Sequence, residues 1–194
     1  MNIVVLGPDR PNIMTFLADA GESIIRTEEK LTPSSAELAD IDWLISYGYR
    51  HIIKPAMIER FSKRIVNLHI SYLPWNRGAD PNLWSCLEDT PRGVTIHYLD
   101  AGLDTGEIIA QRRVPWCEGD TLRSSYERLS EEIERLFMEL WPRLRVGRMA
   151  SRPQPDGGSM HRVKDKAAFE HLLRLGWDTP VSELLGRARQ EVRL

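Results

Sequence analysis

Several features that would place a chain in a specialised class are scarce or missing from these 194 residues. There are only two cysteines, Cys86 and Cys117, without C-x-x-C spacing, so neither a disulfide scaffold nor a zinc knuckle is predicted. No apolar run approaches the roughly 18 residues that cross a bilayer, which excludes a membrane protein. The amino-terminal segment has no basic region before its short apolar stretch, so we predict no secretory signal peptide and expect a cytoplasmic protein.

The charge balance narrows the choice of partner. The chain contains 26 Lys and Arg residues and 28 Asp and Glu residues, which gives a formal net charge of -2. Proteins that bind nucleic acid through its phosphates normally carry a basic excess, so this balance disfavours nucleic acid as the main partner. With 42% hydrophobic residues, the chain can build one main core with a small appendage.

Alternating apolar runs and helical patterns predict an α/β fold with a mostly parallel sheet flanked by helices. The predicted strands are residues 1–7, 23–27, 42–47, 64–69, 93–99 and 107–114, the last two forming a hairpin or an edge extension. The predicted helices are residues 11–20, 55–61, 81–88 and a long amphipathic helix that starts near residue 120. Residues 28–40 and 70–80 are expected to be loops.

The clearest linker is SRPQPDGGS at residues 151–159, which holds two prolines and two glycines. We therefore predict a main domain of residues 1–150, followed by a linker and a short C-terminal subdomain over residues 151–194. Small helices are expected in that subdomain at residues 166–175 and 181–189.

Polar side chains follow three of the predicted strands, in the loops 46–51, 67–78 and 100–106. Ligands of open α/β sheets bind beyond the carboxyl ends of the strands, so these loops are candidates for a site. Asn67 and His69 are two positions apart at the end of a strand and can point to one face, where Asp104 would have to meet them. An amide, an imidazole and a carboxylate together can stabilise an oxyanion and transfer a proton.

Spacing alone leaves other interpretations open. His69 can be a structural histidine, and an Asp-x-Gly turn can be only a turn. A metal site could draw on His51, His69, His97, Asp100 and Asp104, although no H-E-x-x-H or comparable spacing is present. The sequence has no P-loop, no G-x-G-x-x-G after its first strand and no G-x-S-x-G, so nucleotide hydrolysis, Rossmann redox chemistry and serine hydrolysis lack their usual motifs.

Three motifs in order resemble the signature of formyltransferases that use N10-formyltetrahydrofolate: NLHISYLPWNRG at residues 67–78, GVTIH at 93–97 and DTG at 104–106. The resemblance implies a Rossmann-like formyltransferase fold for the domain of residues 1–150, with Asn67, His69 and Asp104 as its catalytic residues. It also implies that folate lies near residues 46–53 and 99–104. The predicted cofactor-binding residues are Tyr49, Arg50, Ile52, Leu99, Asp100 and Leu103.

Residues 75–81 and 90–95 look most like compact formyltransferases that modify amino sugars on nucleotides, and like the formylation domain of linear gramicidin synthetase. The expected reaction is transfer of a formyl group from N10-formyltetrahydrofolate to a primary amine of a small molecule, with a nucleotide-linked amino sugar as first choice. An aminoacyl group on a peptide-synthetase carrier and methionyl-tRNA are alternative acceptors. A formyltetrahydrofolate hydrolase and a noncatalytic folate-binding module are alternatives of a different class.

A few residues depart from the family's usual motif, and a few others are expected to support the three catalytic residues. Ile70 and the pair Tyr72-Leu73 stand where the family often has Pro and Leu-Leu, which bears on the acceptor and not on formyl transfer. No metal is expected, because the three catalytic residues can supply oxyanion donors and proton transfer without a Lewis acid. Loop shaping and supporting hydrogen bonds are the expected roles of Arg77, His97 and Asp100.

Overall fold

The computed structural model describes residues 1–35, 38 and 40–191. Its strands are β1 (Asn2–Leu6), β2 (Ser23–Thr27), β3 (Trp43–Ser46), β4 (Ile65–His69), β5 (Arg77–Gly78), β6 (Gly93–Tyr98), β7 (Ile108–Arg113) and β8 (Met160–His161). Its α-helices are α1 (Pro11–Asp19), α2 (Pro55–Phe61), α3 (Pro81–Leu87), α4 (Leu122–Leu144), α5 (Val181–Leu184) and α6 (Arg187–Glu191). Helices of the 3₁₀ type cover Ser62–Arg64, Val163–Leu172 and Gly176–Asp178.

A six-stranded sheet in the order β2-β1-β3-β4-β6-β7 confirms the predicted α/β class. β1 pairs in parallel with β2 and β3, and β3 pairs in parallel with β4. β6 and β7 are antiparallel: the Tyr98 N–H donates to the Glu107 carbonyl, and the Val114 N–H donates to the Arg92 carbonyl. The predicted hairpin is therefore present, and it adds the last two strands of the sheet.

The described chain forms two compact units. The first comprises residues Met1–His69, Ile96–Ala110 and Glu134–Pro153. The second comprises Ile70–Thr95, Gln111–Ile133 and the described residues from Gln154 onward. Strands β6 and β7 and helix α4 run from one unit into the other. The division into a catalytic domain of residues 1–150 and a subdomain of residues 151–194 stays a prediction.

The first unit is built on strands that are buried on both faces. All four residues of β3 and the last four of β1 are buried, which matches their continuous apolar sequence and is typical of a covered parallel sheet. Helix α1 begins at Pro11, where a missing N–H costs nothing, and it buries Ile13 and Leu17 on one face. One hydrophobic cluster of this unit consists of Val4, Leu6, Leu31, Leu38, Leu44, Met57, Phe61 and Ile65.

The second unit has a core around α3, in which the residues after Pro81 are all buried. Its hydrophobic cluster consists of Leu83, Trp84, Cys86, Leu87, Leu122, Val181, Leu184 and Ala188. The Trp84 ring also stacks on His161, with ring centroids 3.8 Å apart. The C-terminal residues thus complete the packing of α3 within this unit.

Helix α4 follows the predicted amphipathic pattern, with Leu129, Ile133, Leu136 and Leu144 among its buried residues. It contains 23 residues. Among the residues that the structure describes, no helix is both long enough and apolar enough to span a membrane.

Three local predictions differ from the structure. A 3₁₀ helix at Val163–Leu172 replaces the helix expected at 166–175. Two short helices replace the one expected at 181–189, because Gly186 between them has a φ of 73° and ends the first. β5, inside the segment expected to be a loop, pairs in parallel with β8, which directly follows the predicted linker; each strand has two residues. Strands this short carry no alternating pattern that a sequence could reveal.

Candidate active site

Strand β4 carries two of the predicted catalytic residues to the carboxyl end of the sheet. Asn67 and His69 are alternate residues of the strand and therefore lie on one face. His69 is buried, with 7% of its surface exposed, and Asn67 is half-buried. Asn67 is in register with Ser46, the last residue of β3, so the ends of the two parallel strands meet here.

The turn between β6 and β7 carries the third residue. Asp104 has a left-handed backbone, with φ of 52°, and only 8% of its surface is exposed. Two residues later, a Cβ on Gly106 would lie 1.8 Å from the Tyr98 carbonyl oxygen. The Asp-x-Gly motif therefore needs glycine at its third position, because the turn folds back against β6 there.

The structure brings these three side chains together. Asn67 Nδ2 donates a hydrogen bond to Asp104 Oδ1 at 3.0 Å. The other carboxylate oxygen of Asp104 lies 3.8 Å from His69 Nδ1. An amide, an imidazole and a carboxylate thus form one cluster, and all three belong to the first unit.

A second histidine completes the cluster. His97 is fully buried, and its Nδ1 lies 2.8 Å from the Tyr98 carbonyl oxygen, which can only accept. Nδ1 therefore carries the proton, and in the neutral ring Nε2 accepts from Asn67 Nδ2 at 3.3 Å. His97 Nε2 also lies 3.5 Å from Asp104 Oδ1. This placement agrees with the supporting role expected for His97.

The two amide hydrogens of Asn67 are consequently both engaged. One is directed at Asp104 Oδ1 and the other at His97 Nε2. To donate to an oxyanion, Asn67 has to exchange one of these bonds for the new one. His97 and Asp104 therefore hold the amide in a fixed plane at the end of β4.

The residues considered for a metal site do not all meet. The exposed ring of His51 packs edge-on against Tyr49, with ring centroids 5.2 Å apart. Within the part of the chain that the structure describes, no group of three or more His, Cys, Asp or Glu side chains could hold a metal ion.

The predicted folate residues all belong to the first unit, and two of them are anchored to its core. Tyr49 and Leu99 pack against the cluster that includes Val4 and Ile65. The Tyr49 hydroxyl donates to the Glu29 carbonyl at 2.7 Å and accepts from a backbone N–H at 3.2 Å. These bonds fix the ring and leave part of it exposed.

The other predicted folate residues lie at the surface. Ile52 is 86% exposed and Leu103 is 49% exposed, and Arg50 is also exposed. The Asp100 carboxylate accepts from the Gly102 N–H at 3.0 Å and from the Thr105 hydroxyl at 2.7 Å. The Asp100 side chain therefore forms hydrogen bonds within its own turn. The folate-binding role of all six residues stays a prediction.

The loop that follows His69 belongs to the second unit, where side-chain hydrogen bonds hold its backbone in place. The Thr95 hydroxyl donates to the Ser71 carbonyl at 2.7 Å and accepts from the Leu73 N–H at 3.2 Å. Gln111 Nε2 donates to the Leu73 carbonyl at 2.7 Å. The GVTIH motif contains Thr95, but no sequence signal had singled out Gln111.

The aromatic side chains of this loop are half-buried. Tyr72 lies under the guanidinium of Arg113, which is 4.9 Å from the ring centroid. Trp75 is also partly exposed, and its carbonyl accepts from the Ser71 hydroxyl at 2.6 Å. Arg77 donates to Gln154 Oε1 at 3.3 Å and to the Gly157 carbonyl at 3.1 Å, so it shapes the loop as expected.

Comparison with known proteins identifies the family. The family model described as formyl transferase matches residues 11–140, so the chain belongs to the formyl transferase family. A methionyl-tRNA formyltransferase of Koribacter versatilis is 34% identical over 169 residues, which cover 79% of this chain and 54% of that protein. One of Paraburkholderia phymatum is 31% identical over 151 residues, covering 76% of this chain and 45% of that protein. The chain thus spans about half the length of the curated relatives it matches.

A solved structure matches along its whole length. The formyltransferase PseJ from Anoxybacillus kamchatkensis, in complex with UDP-4,6-dideoxy-4-formamido-L-AltNAc and tetrahydrofolate, is 56% identical, with a TM-score of 0.95. The match covers 97% of this chain and 100% of that chain. A 4-N formyltransferase from Francisella tularensis has the same fold at 18% identity, with a TM-score of 0.76 over 86% of this chain and 78% of that chain.

Proposed function

We propose that this protein transfers a formyl group from N10-formyltetrahydrofolate to the amine of a nucleotide-linked amino sugar. The match to PseJ over 97% of this chain and 100% of that one carries the proposal, because that protein was solved with tetrahydrofolate and a UDP-linked formamido sugar. The chemistry of the cluster formed by Asn67, His69 and Asp104 also supports the proposal, since formyl transfer needs oxyanion donors and a proton route.

Each residue has a distinct task in this proposal. As the acceptor amine attacks the formyl carbon, His69 and Asn67 donate hydrogen bonds to the formyl oxygen, which gains negative charge. The carboxylate of Asp104, 3.8 Å from His69 Nδ1, attracts the imidazolium form of that ring. The bond from the formyl carbon to N10 then breaks. The proton lost by the amine reaches N10 through His69 or through water held by Asp104.

The predicted folate residues of the first unit have side chains whose chemistry suits the formyl donor. Ile52 and Leu103 expose apolar side chains, and the half-buried Tyr49 and Leu99 are fixed against the core. An aromatic ring system that covers such exposed apolar side chains gains hydrophobic stabilisation, so these residues fit a pteridine. Arg50, in the same segment, can pair with the carboxylates of a folate tail.

The identity of the formyl acceptor is the most specific part of the proposal. A small-molecule amine is supported by the PseJ ligand, whereas methionyl-tRNA is supported by relatives of which the chain covers only about half. Linear gramicidin formylation involves a carrier-bound aminoacyl group, and a hydrolase would use water. These alternatives differ in product, so one assay can separate them.

The assay combines purified protein, N10-formyltetrahydrofolate and the UDP-linked 4-amino sugar that lacks only the formyl group of the PseJ ligand. We expect a product whose mass rises by one formyl group, together with one equivalent of tetrahydrofolate. Parallel reactions contain methionyl-tRNA, a carrier-bound aminoacyl group, or no amine. Formate released at the same rate without amine would identify a hydrolase, and folate binding without turnover of any acceptor would identify a binding module.

A further inference from the structure

Residues 154–161, which include most of the predicted linker, are hydrogen-bonded to the loop that follows His69, and both segments belong to the second unit. The Arg77 N–H donates to the Ser159 carbonyl at 3.0 Å, and the Ser159 N–H donates to the Pro74 carbonyl at 3.3 Å. The Ala79 N–H donates to the His161 carbonyl at 2.9 Å. Residues 159–161 therefore pair with the 70–79 loop through backbone hydrogen bonds, and the Arg77 side chain adds bonds to Gln154 and Gly157, which a free linker would not have.

Buried side chains reinforce this pairing. Asn76 is fully buried, and its N–H donates to the Ser159 hydroxyl at 3.0 Å. The same hydroxyl donates back to Asn76 Oδ1 at 3.1 Å, while Asn76 Nδ2 donates to the Thr90 hydroxyl at 2.9 Å. A left-handed, buried asparagine is costly unless its polar atoms are satisfied, so Ser159 is a specific partner at this position.

Two neighbouring glycines show how closely the segments approach. Gly157 and Gly158 both have positive φ angles, of 91° and 85°. A Cβ on Gly158 would lie 2.0 Å from the Pro74 carbonyl oxygen, whereas a Cβ on Gly157 would meet nothing within 4 Å. Glycine at residue 158 is therefore required by contact with the loop, and glycine at residue 157 only by backbone conformation.

We infer that residues 154–161 are a positioning element that fixes the 70–79 loop and, through it, sets the affinity for the acceptor. This inference rests on the proposed function: the 70–79 loop begins at the residue after His69, where the acceptor amine has to arrive, and its Tyr72 and Trp75 are half-buried aromatic side chains that a ligand can contact. A loop held in its binding conformation loses less conformational entropy when the ligand arrives, so fixing it strengthens binding. Donor binding is assigned to the first unit and does not depend on this element.

The two glycines provide a matched pair of variants. Gly157→Ala and Gly158→Ala introduce the same side chain at a positive φ, so both lose comparable stability from backbone strain. Only Gly158→Ala must also displace Pro74. We expect Gly158→Ala to lower kcat/KM for the UDP-linked amino sugar about tenfold or more, mainly through KM, and Gly157→Ala to stay within about twofold of wild type. Calorimetry should show unchanged tetrahydrofolate affinity in both.

Hydrogen exchange gives a readout that does not depend on the acceptor. Gly158→Ala should speed amide exchange in residues 70–79 relative to Gly157→Ala. Equal exchange in the two folded variants, or a loss of tetrahydrofolate affinity in Gly158→Ala, would overturn the inference. A wild-type protein that formylates no UDP-linked amino sugar would defeat the proposed function, whereas the exchange comparison would still decide whether residues 154–161 fix the loop.

Ser159 supplies a milder test in case Gly158→Ala does not fold. Ser159→Ala removes the bonds to Asn76 and should raise the acceptor KM several-fold, and Ser159→Thr, which keeps the hydroxyl, should restore it. Ser151→Ala is the control, because the Ser151 hydroxyl donates to Glu107 in the first unit at 2.6 Å. An acceptor KM that responds equally to Ser159→Ala and Ser151→Ala would contradict a specific role for the 154–161 segment.

Discussion

The side chains of Asn67 and Asp104 are joined by a 3.0 Å hydrogen bond although 37 residues separate them in the chain. One stands on the last strand of the parallel part of the sheet, and the other on the turn between the antiparallel pair. The same carboxylate faces His69. Asp104 therefore couples the amide donor to the imidazole, and the three residues are expected to act as one unit.

The first prediction concerns the two donors of this unit. Removing one oxyanion donor typically costs about 3 kcal/mol of transition-state stabilisation, so Asn67→Ala and His69→Ala should each lower kcat about a hundredfold or more. Tetrahydrofolate affinity, measured by calorimetry, should largely survive because donor binding is assigned to other residues. Folded His69→Ala protein with near-normal formyl transfer would disprove the mechanism.

The second prediction concerns the carboxylate. Asp104→Asn keeps the size of the side chain and tolerates the left-handed backbone, but it removes the charge that faces His69. We expect a loss in kcat comparable with that of His69→Ala. Combining the two changes should cost little more than either alone, because both disable the same unit. Asp19→Asn, at the exposed end of α1, is the control, and simple multiplication of the two effects would contradict the coupling.

The third prediction assigns His97 to the positioning of Asn67. His97→Phe removes the acceptor of one amide hydrogen and should cost about 1 to 2 kcal/mol, or roughly tenfold in kcat, with the donor KM unchanged. His97→Gln should recover part of the loss, since its amide can accept from Asn67 and donate to the Tyr98 carbonyl. His171→Phe, which changes an exposed histidine, should have no effect on kcat. Equal kinetics of the Phe and Gln variants at residue 97 would argue for a purely structural role.

Much of the first unit could be predicted from the sequence because its signals are local. Strands buried on both faces appear as uninterrupted apolar runs, so β1 and β3 were located within one or two residues. Helix α2 was predicted with the observed bounds because proline marks its first turn. Asn67 and His69 could be placed on one face because they are alternate residues of one strand, whereas Asp104, on the turn of the antiparallel pair, could be assigned to them only through the resemblance to the formyltransferase signature.

The pairing of residues 154–161 with the 70–79 loop could not be predicted in the same way. Proline and glycine in SRPQPDGGS report local backbone preferences, and these are the same in a free linker and in a segment fitted against another loop. The contact depends on Gly158 meeting Pro74 and on Ser159 meeting Asn76, both across more than seventy residues of chain. One sequence contains no periodicity that encodes such a contact.

The fourth prediction separates the two cysteines. Burial raises the pKa of the Cys86 thiol to about 12, outweighing the nearby positive charge of Arg92, whereas Cys117 is exposed. Since the thiolate is the reactive form, iodoacetamide at about pH 8 should label one thiol in the native protein and two after unfolding. Mass spectrometry after digestion identifies the site. In Cys117→Ser, any rapid labelling of the native protein would contradict the buried, protonated state of Cys86.

The last prediction concerns acid stability and rests on Asp120, which precedes α4. Burial alone disfavours its charged form, but hydrogen bonds from Arg128, the Cys117 N–H and the Ser124 hydroxyl hold the pKa of Asp120 below its ordinary value. The folded state thus binds this proton less readily than the unfolded state. The stabilisation is complete above the ordinary pKa, near 4, and is lost as the pH falls through the lower value of the folded protein.

Asp120→Asn should therefore lower the free energy of unfolding by about 2 kcal/mol at neutral pH, and by less as the pH falls below about 4. Urea titrations of wild type and variant, at neutral pH and again below about pH 4, measure this difference. Asp178→Asn is the matched control, because Asp178 also pairs with an arginine, Arg123, but is exposed, and exposed ion pairs contribute little. A destabilisation by Asp120→Asn that is equal at the two pH values would show that the side chain stabilises α4 without its charge.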